Sequence, residues 1–271
     1  MVSALNNVSS LNAEDALSNT QASLQNSLLQ LSTGLKINYG SDDATGLSIA
    51  NGLGANMAAL TQSSQNASNG IGMLQTADGA LSQVTALLDR ATTLATEAAN
   101  GGLTAAQSTA ADTEYQSILS EITQIGSTTS FNGTAVFSAA PEAVFTSDGT
   151  TGGTATTSTT TGVLSAAALG LTGDLISPAD AGASLTAITA AIGAVAATRG
   201  TIGAAVNQLA ADVNVQNTEV TNLTGAQNNI QNADIGKTVA SMTQYNVLQQ
   251  TGMASLSQSN QALQALLKLL Q

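Results

Sequence analysis

Between Ile188 and Ile230, thirteen positions advance by alternating fours and threes, and ten of them are Ile, Val or Leu: Ile188, Ile192, Val195, Ile202, Val206, Leu209, Val213, Val220, Leu223 and Ile230. A 3.5-residue repeat keeps one stripe of a helix turned toward a partner helix, whereas a solvated helix or a strand shows another period. The spacing predicts a long helix with a coiled-coil seam. Arg199, Gln216 and Gln227 interrupt it, and polar residues on such a seam set register or make contacts more often than they bind ligands. Upstream, Leu74, Leu81, Val84, Leu88, Ala91 and Ala95 form a matching stripe. Two leucine stripes lie nearer the ends, Leu17, Leu24, Leu28, Leu31 and Leu35 in one and Leu248, Leu256, Leu263, Leu266, Leu267 and Leu270 in the other.

Breakers divide these stripes into elements. Both prolines, Pro141 and Pro178, sit mid-chain, so the arms on either side lack the residue that most reliably interrupts a helix. Gly34 and Gly40 suggest a connector, after which Ser41-Asp42-Asp43 offers side-chain oxygens to the free N–H groups of a helix running toward Asn100. Asn100-Gly101-Gly102 reads as its C-cap, and Thr104 with Gln107 fits a capping box opening the next helix, whose buried stripe is Tyr115, Ile118, Ile122 and Ile125 and whose stop is Gly126. Asn132-Gly133 between β-prone residues predicts a tight hairpin near 128–137. Residues 138–180 are rich in Gly and Thr, consistent with either a loop or short strands, and are expected to add little to the core.

The expected fold is mainly α: an elongated antiparallel helical bundle or coiled coil of N- and C-terminal arms, with a β-hairpin and a small Thr/Gly-rich insert. Three regions follow: 1–40 with 233–271, 41–137 with 181–232, and 138–180. Terminal leucine stripes in a monomer leave an apolar strip that neighbours from other molecules can cover. Head-to-tail stacking of such subunits gives an open fibre when the rotation does not close.

Composition narrows the chemistry. Charged residues are 8% of the chain and aromatics 2%, against a typical charged share of about 25%. Low surface charge suits side-by-side packing with copies of itself. Five basic residues against seventeen acidic give a net charge of −12 with no basic cluster, which argues against nucleic acid as a partner. The absence of His and Cys removes the usual general base, the commonest metal ligand, thiolate nucleophiles and disulfides. The adjacent acids Glu14-Asp15 and Asp42-Asp43 do not converge on one reacting atom, so neither an enzyme nor a cofactor is expected. The N-terminal stretch has no basic n-region and no continuous apolar h-region, and no run of about 18 apolar residues appears, so neither general secretion nor a membrane span is expected. Taken alone, this points to the cytoplasm or to export by another route.

Leu31-Ser-Thr-Gly-Leu-Lys-Ile-Asn38, Asp42-Asp-Ala-Thr-Gly-Leu-Ser-Ile-Ala50, Leu74-Gln-Thr-Ala-Asp-Gly-Ala-Leu81, Glu97-Ala-Ala-Asn-Gly101 and Thr129-Ser-Phe-Asn-Gly133 resemble, in order and spacing, the N-terminal motifs of bacterial flagellin. Asn232-Ala-Asp234, Leu248-Gln-Gln-Thr-Gly252 and Gln258-Ser-Asn-Gln261 resemble its C-terminal ones. The resemblance covers about residues 1–137 and 185–271. It implies a self-polymerising subunit of the flagellar filament, exported unfolded through the flagellar type III channel without a cleaved signal. It implies an export chaperone, cap proteins and hook-junction proteins as further partners. The outermost arms would form an inner coiled-coil tube, the inner helices and hairpin a surrounding rod, and 138–180 a reduced outer insert. Arg90, Leu94 and Glu114 fall where the family carries its contacts to the vertebrate innate flagellin receptor, but Thr92 and Thr93 replace the Arg and Glu usual in receptor-active members. The Thr-rich insert offers hydroxyls for O-glycosylation or stands as an unmodified polar loop. A hook–filament junction protein shares similar arms and is the nearest alternative. A secreted adhesin or binding module is a further one, and predicts a soluble monomer.

Overall fold

The computed structural model describes residues 8–140, 142–147 and 154–269, and the side chains of Glu142, 154–156, 263 and 266–269 are not part of that description. Leu270 therefore lies outside the described residues, as do the side chains of Leu263, Leu266 and Leu267. The chain order is α1 (Val8–Thr33), α2 (Ala44–Ala99), α3 (Ala105–Thr128), β1 (Ser130–Phe131), β2 (Thr134–Ala135), β3 (Glu142–Ser147), β4 (Thr154–Thr159), α4 (Pro178–Gln231) and α5 (Ile235–Leu269). The mainly α fold with a small hairpin and insert is thus present. The chain divides into one unit of residues 1–54 with 222–271 and another of residues 55–221.

The second unit holds the core. Along α2, Leu60, Ser63, Ala67, Gly70, Leu74, Ala77, Leu81, Val84, Leu88, Ala91, Ala95 and Ala98 are all buried, stepping by threes and fours without a break. Small residues at Ser63, Ala67, Gly70, Ala77, Ala91, Ala95 and Ala98 are interspersed with Leu and Val along this stripe, which lets a second helix approach closely. On α4 the buried positions are Ala181, Ser184, Ile188, Ala191, Val195, Ile202, Ala205, Leu209 and Gln216. Ile188, Val195, Ile202 and Leu209 of the expected seam are therefore at its centre, whereas Ile192, Val206 and Val213 are half-buried at its rim. The contact is centred toward Ala191 and Ala205 rather than toward Ile192 and Val206, because close approach favours the smaller side chains.

Polar residues set the α2–α4 alignment. Arg199 forks onto Asp78, with Nε and Nη2 donating to the two carboxylate oxygens at 2.7 and 3.2 Å. Gln216 Nε2 donates to Ser63 Oγ at 3.0 Å. As the α4 number rises the α2 number falls, so the helices run antiparallel. In the first unit, Gln227 Nε2 donates to the Ala50 carbonyl at 3.2 Å.

α3 begins at the expected box, Gln107 Oε1 accepting from the Thr104 N–H at 2.8 Å, and buries Tyr115, Ile118, Leu119 and Ile122. Ile125 is only half-buried. β1 and β2 pair Ser130 with Ala135 and Phe131 with Thr134 around Asn132 (φ 50°) and Gly133 (φ 80°), the doubly positive turn that Asn-Gly favours. The insert takes the short-strand alternative, and it differs from expectation in what it adds to the core. β3 and β4 form a six-rung antiparallel hairpin that lies on α2, where Ser147 N donates to Ser63 Oγ at 2.8 Å and Asn66 Nδ2 to the Phe145 carbonyl at 3.3 Å. The stretch after β4 adds Leu164, Ala166, Leu171 and Leu175 to the core. The Thr/Gly bias concealed these four side chains, which are spread thinly along an irregular segment. Gly126 is a packing site as much as a stop, since a Cβ there would collide with the Leu164 carbonyl.

The sequence holds no unbroken apolar run of membrane length, yet by mean hydropathy one helix is apolar enough. α4 contains an 18-residue window of mean hydropathy 1.5, long and apolar enough by composition alone. Of that window 28% is buried, and Ile188, Ala191, Val195 and Ile202 of α4 belong to the core just described.

Candidate functional site

The first unit is built differently. α1 and α5 pair antiparallel: Ser10 Oγ donates to Asn260 Oδ1 at 3.4 Å, Leu17 packs over Gly252, and Leu35 bridges Asn232. α1 ends on Gly34 (φ 74°), whose N–H donates to the Gln30 carbonyl at 2.8 Å. Two backbone bonds then tie the connector to the end of α4, Lys36 N to the Gln231 carbonyl (2.6 Å) and Ala233 N to the Gly34 carbonyl (2.9 Å). Asp42 Oδ2 accepts from the N–H groups of Asn38 and Tyr39, and Asp43 Oδ1 caps α2 by accepting from Gly46 N at 2.8 Å. A Cβ on Gly46 would press on the Asp43 carboxylate and sit 2.8 Å from Ile37 Cδ1, so the Asp-Asp-Ala-Thr-Gly run is one compact connector.

This unit buries little. Ile37 and Ala50 are its fully buried hydrophobics among the described residues. Leu17, Leu24, Leu31, Leu35 and Leu256 are half-buried, while Leu28 (47% exposed) and Leu248 (44%) remain open. Leu223 and Ile230, at the far end of the α4 seam, are half-buried, as is Val220 in the second unit. Of fourteen large hydrophobics standing exposed among the described residues, ten lie in this unit: Val8, Leu11, Leu28, Tyr39, Ile49, Ile235, Val239, Val247, Leu248 and Met253. Counting leucines at heptad spacing overlooks most of these. The readable signal was the Val and Met residues on α1 and α5 lying off the leucine stripe, which make each helix apolar on more than one face.

Arg90 and Glu114 pair with each other, Nε to Oε1 at 2.7 Å, tying α2 to α3 on the surface. The hydrogen bond to Glu114 raises the Arg90 pKa, and the same bond holds the Glu114 carboxyl below its ordinary value. Leu94 is 4% exposed and belongs to the core. The Asp78 hydrogen bond likewise raises the Arg199 pKa. No group of three or more potential metal ligands occurs among the described residues.

One unit is a closed helical core and the other an under-packed, apolar pair of terminal helices, a pattern that defines a structural helical protein without a catalytic centre among the described residues. Residues 5–141 match the bacterial flagellin N-terminal helical region and residues 185–270 the C-terminal one. The chain is 33% identical to a flagellin of Halalkalibacterium halodurans, over 91% of both chains. It is 32% identical to the flagellar filament 33 kDa core protein of Treponema phagedenis (97% of this chain, 98% of the relative) and 30% identical to a flagellin of Bacillus subtilis, with the same coverage. The chain belongs to the bacterial flagellin family. It is a self-polymerising subunit of the extracellular flagellar filament, a structural protein of motility.

Proposed function

We propose that the first unit, its terminal helix pair together with the connector and the start of α2, is the surface through which subunits polymerise, the leucine stripes and the exposed Val, Ile, Tyr and Met side chains being covered only when copies surround it. The observation that carries this is the concentration of ten exposed large hydrophobics in the first unit. Fully covering a large apolar side chain contributes about 1.5–3 kcal/mol, so each half-exposed one has about 1 kcal/mol left to gain. Ten give on the order of 10 kcal/mol, comparable to the ~4–15 kcal/mol that association costs in lost freedom. One shared face is then marginal, and coverage by several neighbours is needed.

In this reading residues 1–40 with 233–271 form the inner tube, 41–137 with 181–232 the rod, and 138–180 a reduced outer insert lying close to the rod. The chain performs no catalysis and travels without a cleaved signal through the flagellar export channel. An export chaperone, cap and hook-junction proteins meet it before and during assembly. Arg90 and Glu114 tie two helices together, and with Leu94 in the core and threonines at 92 and 93, engagement of the innate receptor is a minor role at most. The test is the chain carrying Leu28→Asp and Leu248→Asp, incubated with filament seeds. The expected result is an unchanged helical spectrum with no elongation; elongation at the wild-type rate overturns the reading.

A further inference from the structure

Near the connector, α1 and α5 part around a polar cleft of about 530 Å³. Its floor includes Ser27 and Thr238, 6% and 7% exposed. Their hydroxyls donate to the Ser23 and Asp234 carbonyls of their own helices, so neither has a proton to offer a ligand. Its rim carries Lys36 and Lys237, two of only five basic residues in the chain. Neither forms an ion pair among the described residues, whose salt bridges are Arg90–Glu114 and Arg199–Asp78. The carboxylates nearest in sequence are occupied: Asp234 caps α5 by accepting from Lys237 N, and Asp42 and Asp43 accept from the connector and α2. Lys36 also borders an adjoining cleft of about 380 Å³, which widens the open ground around it.

The opposite charge lies at the far end of the same helix pair. Glu14 and Asp15 are the only charged residues of α1, both are exposed, and neither has an ion-pair partner among the described residues. Leu17 packs over Gly252, fifteen residues along α5 from Lys237. At 1.5 Å per residue, and with three further residues along α1, Glu14 sits about 27 Å from Lys237 in its own chain. The acids and the lysines of one molecule therefore cannot meet, while those of two molecules staggered by about that distance can.

Resting on the assembly reading above, we propose that the Lys36–Lys237 cleft receives the Glu14-Asp15 turn of a second copy of this chain, fixing the axial stagger between neighbouring terminal helix pairs. Apolar coverage supplies attraction without selecting a position along the helix, and opposite charges at a fixed spacing select one. The cysteine-free chain allows a direct test. A variant carrying Glu14→Cys and Lys237→Cys, polymerised and then mildly oxidised, is expected to give a ladder of cross-linked multimers, since about 27 Å precludes a disulfide within one chain. The two single-cysteine variants, limited to one disulfide per chain, are expected to give no cross-linked dimer. Wild-type-like filaments of the double variant without cross-links, or equal cross-linking by a single variant, overturn the proposal while leaving self-assembly intact. A wild-type chain that does not polymerise on seeds overturns both. Independently, Lys36→Glu with Lys237→Glu, and Glu14→Lys with Asp15→Lys, are each expected to slow seeded elongation about tenfold at low salt, and the chain carrying all four to recover. Unchanged rates in either pair, or no recovery, refute the contact.

Discussion

Replacing Gln216 by leucine is expected to stabilise the second unit. Gln216 is 8% exposed, and its Nε2 donates to Ser63 Oγ while its Oε1 is buried with no hydrogen-bond partner. A buried orphan acceptor costs about 1–3 kcal/mol, and one internal hydrogen bond contributes about 0.5–1.5 kcal/mol. Leucine removes both, and Ser63 Oγ still accepts from the Ser147 N–H at 2.8 Å. The net expectation is a gain of about 1 kcal/mol, equivalent to a rise of about 2–4 °C in the melting temperature of a domain this size. Circular dichroism melts of unpolymerised chain measure it, with Gln216→Ala as the control expected to melt below the leucine variant because it leaves a void. A fall of 2 °C or more on Gln216→Leu refutes the reasoning and makes the Gln216–Ser63 bond a net stabiliser. The predicted gain fits a polar pair on an apolar seam that trades stability for register.

Gly126→Ala should destabilise by about 1–3 kcal/mol in the same melts, because its methyl group must displace the Leu164 carbonyl; an unchanged melting temperature contradicts the packing described. Leu209→Ala, at a fully buried seam position, should cost about 2–5 kcal/mol, and a loss under 1 kcal/mol places Leu209 outside the core. Arg90 holds the Glu114 carboxyl below its ordinary value, so the pair's contribution is present above the unfolded carboxyl range and disappears as pH falls through the folded value. NMR titration should find the Glu114 pKa depressed and Arg90→Ala should return it to normal; a depressed value that survives the substitution removes Arg90 as its cause.

The helices were legible in the sequence because their seams repeat over many heptads, as in α2 and α4, and because their ends carry chemistry such as Thr104 with Gln107 and Asp43 before Gly46. The Asn132-Gly133 turn was equally local. What escaped the pattern depended on partners distant in sequence. Ala191 and Ala205 take the centre of the seam only because α2 approaches closely there, and periodicity of large side chains cannot report that. Leu164, Ala166, Leu171 and Leu175 reach the core from irregular backbone, which has no period to read. At the terminal helices the sequence marked leucine stripes but not how much of them one chain covers by itself. Nor did it mark the Lys36–Lys237 cleft, formed by residues about two hundred positions apart.

Amide hydrogen exchange of the same chain, unpolymerised and in filaments, tests the central claim most directly. The account predicts that α1 and α5 exchange quickly in the free chain and become strongly protected in the filament, while the buried faces of α2, α3 and α4 in the second unit are protected in both. Terminal helices as protected in the free chain as in the filament would contradict it.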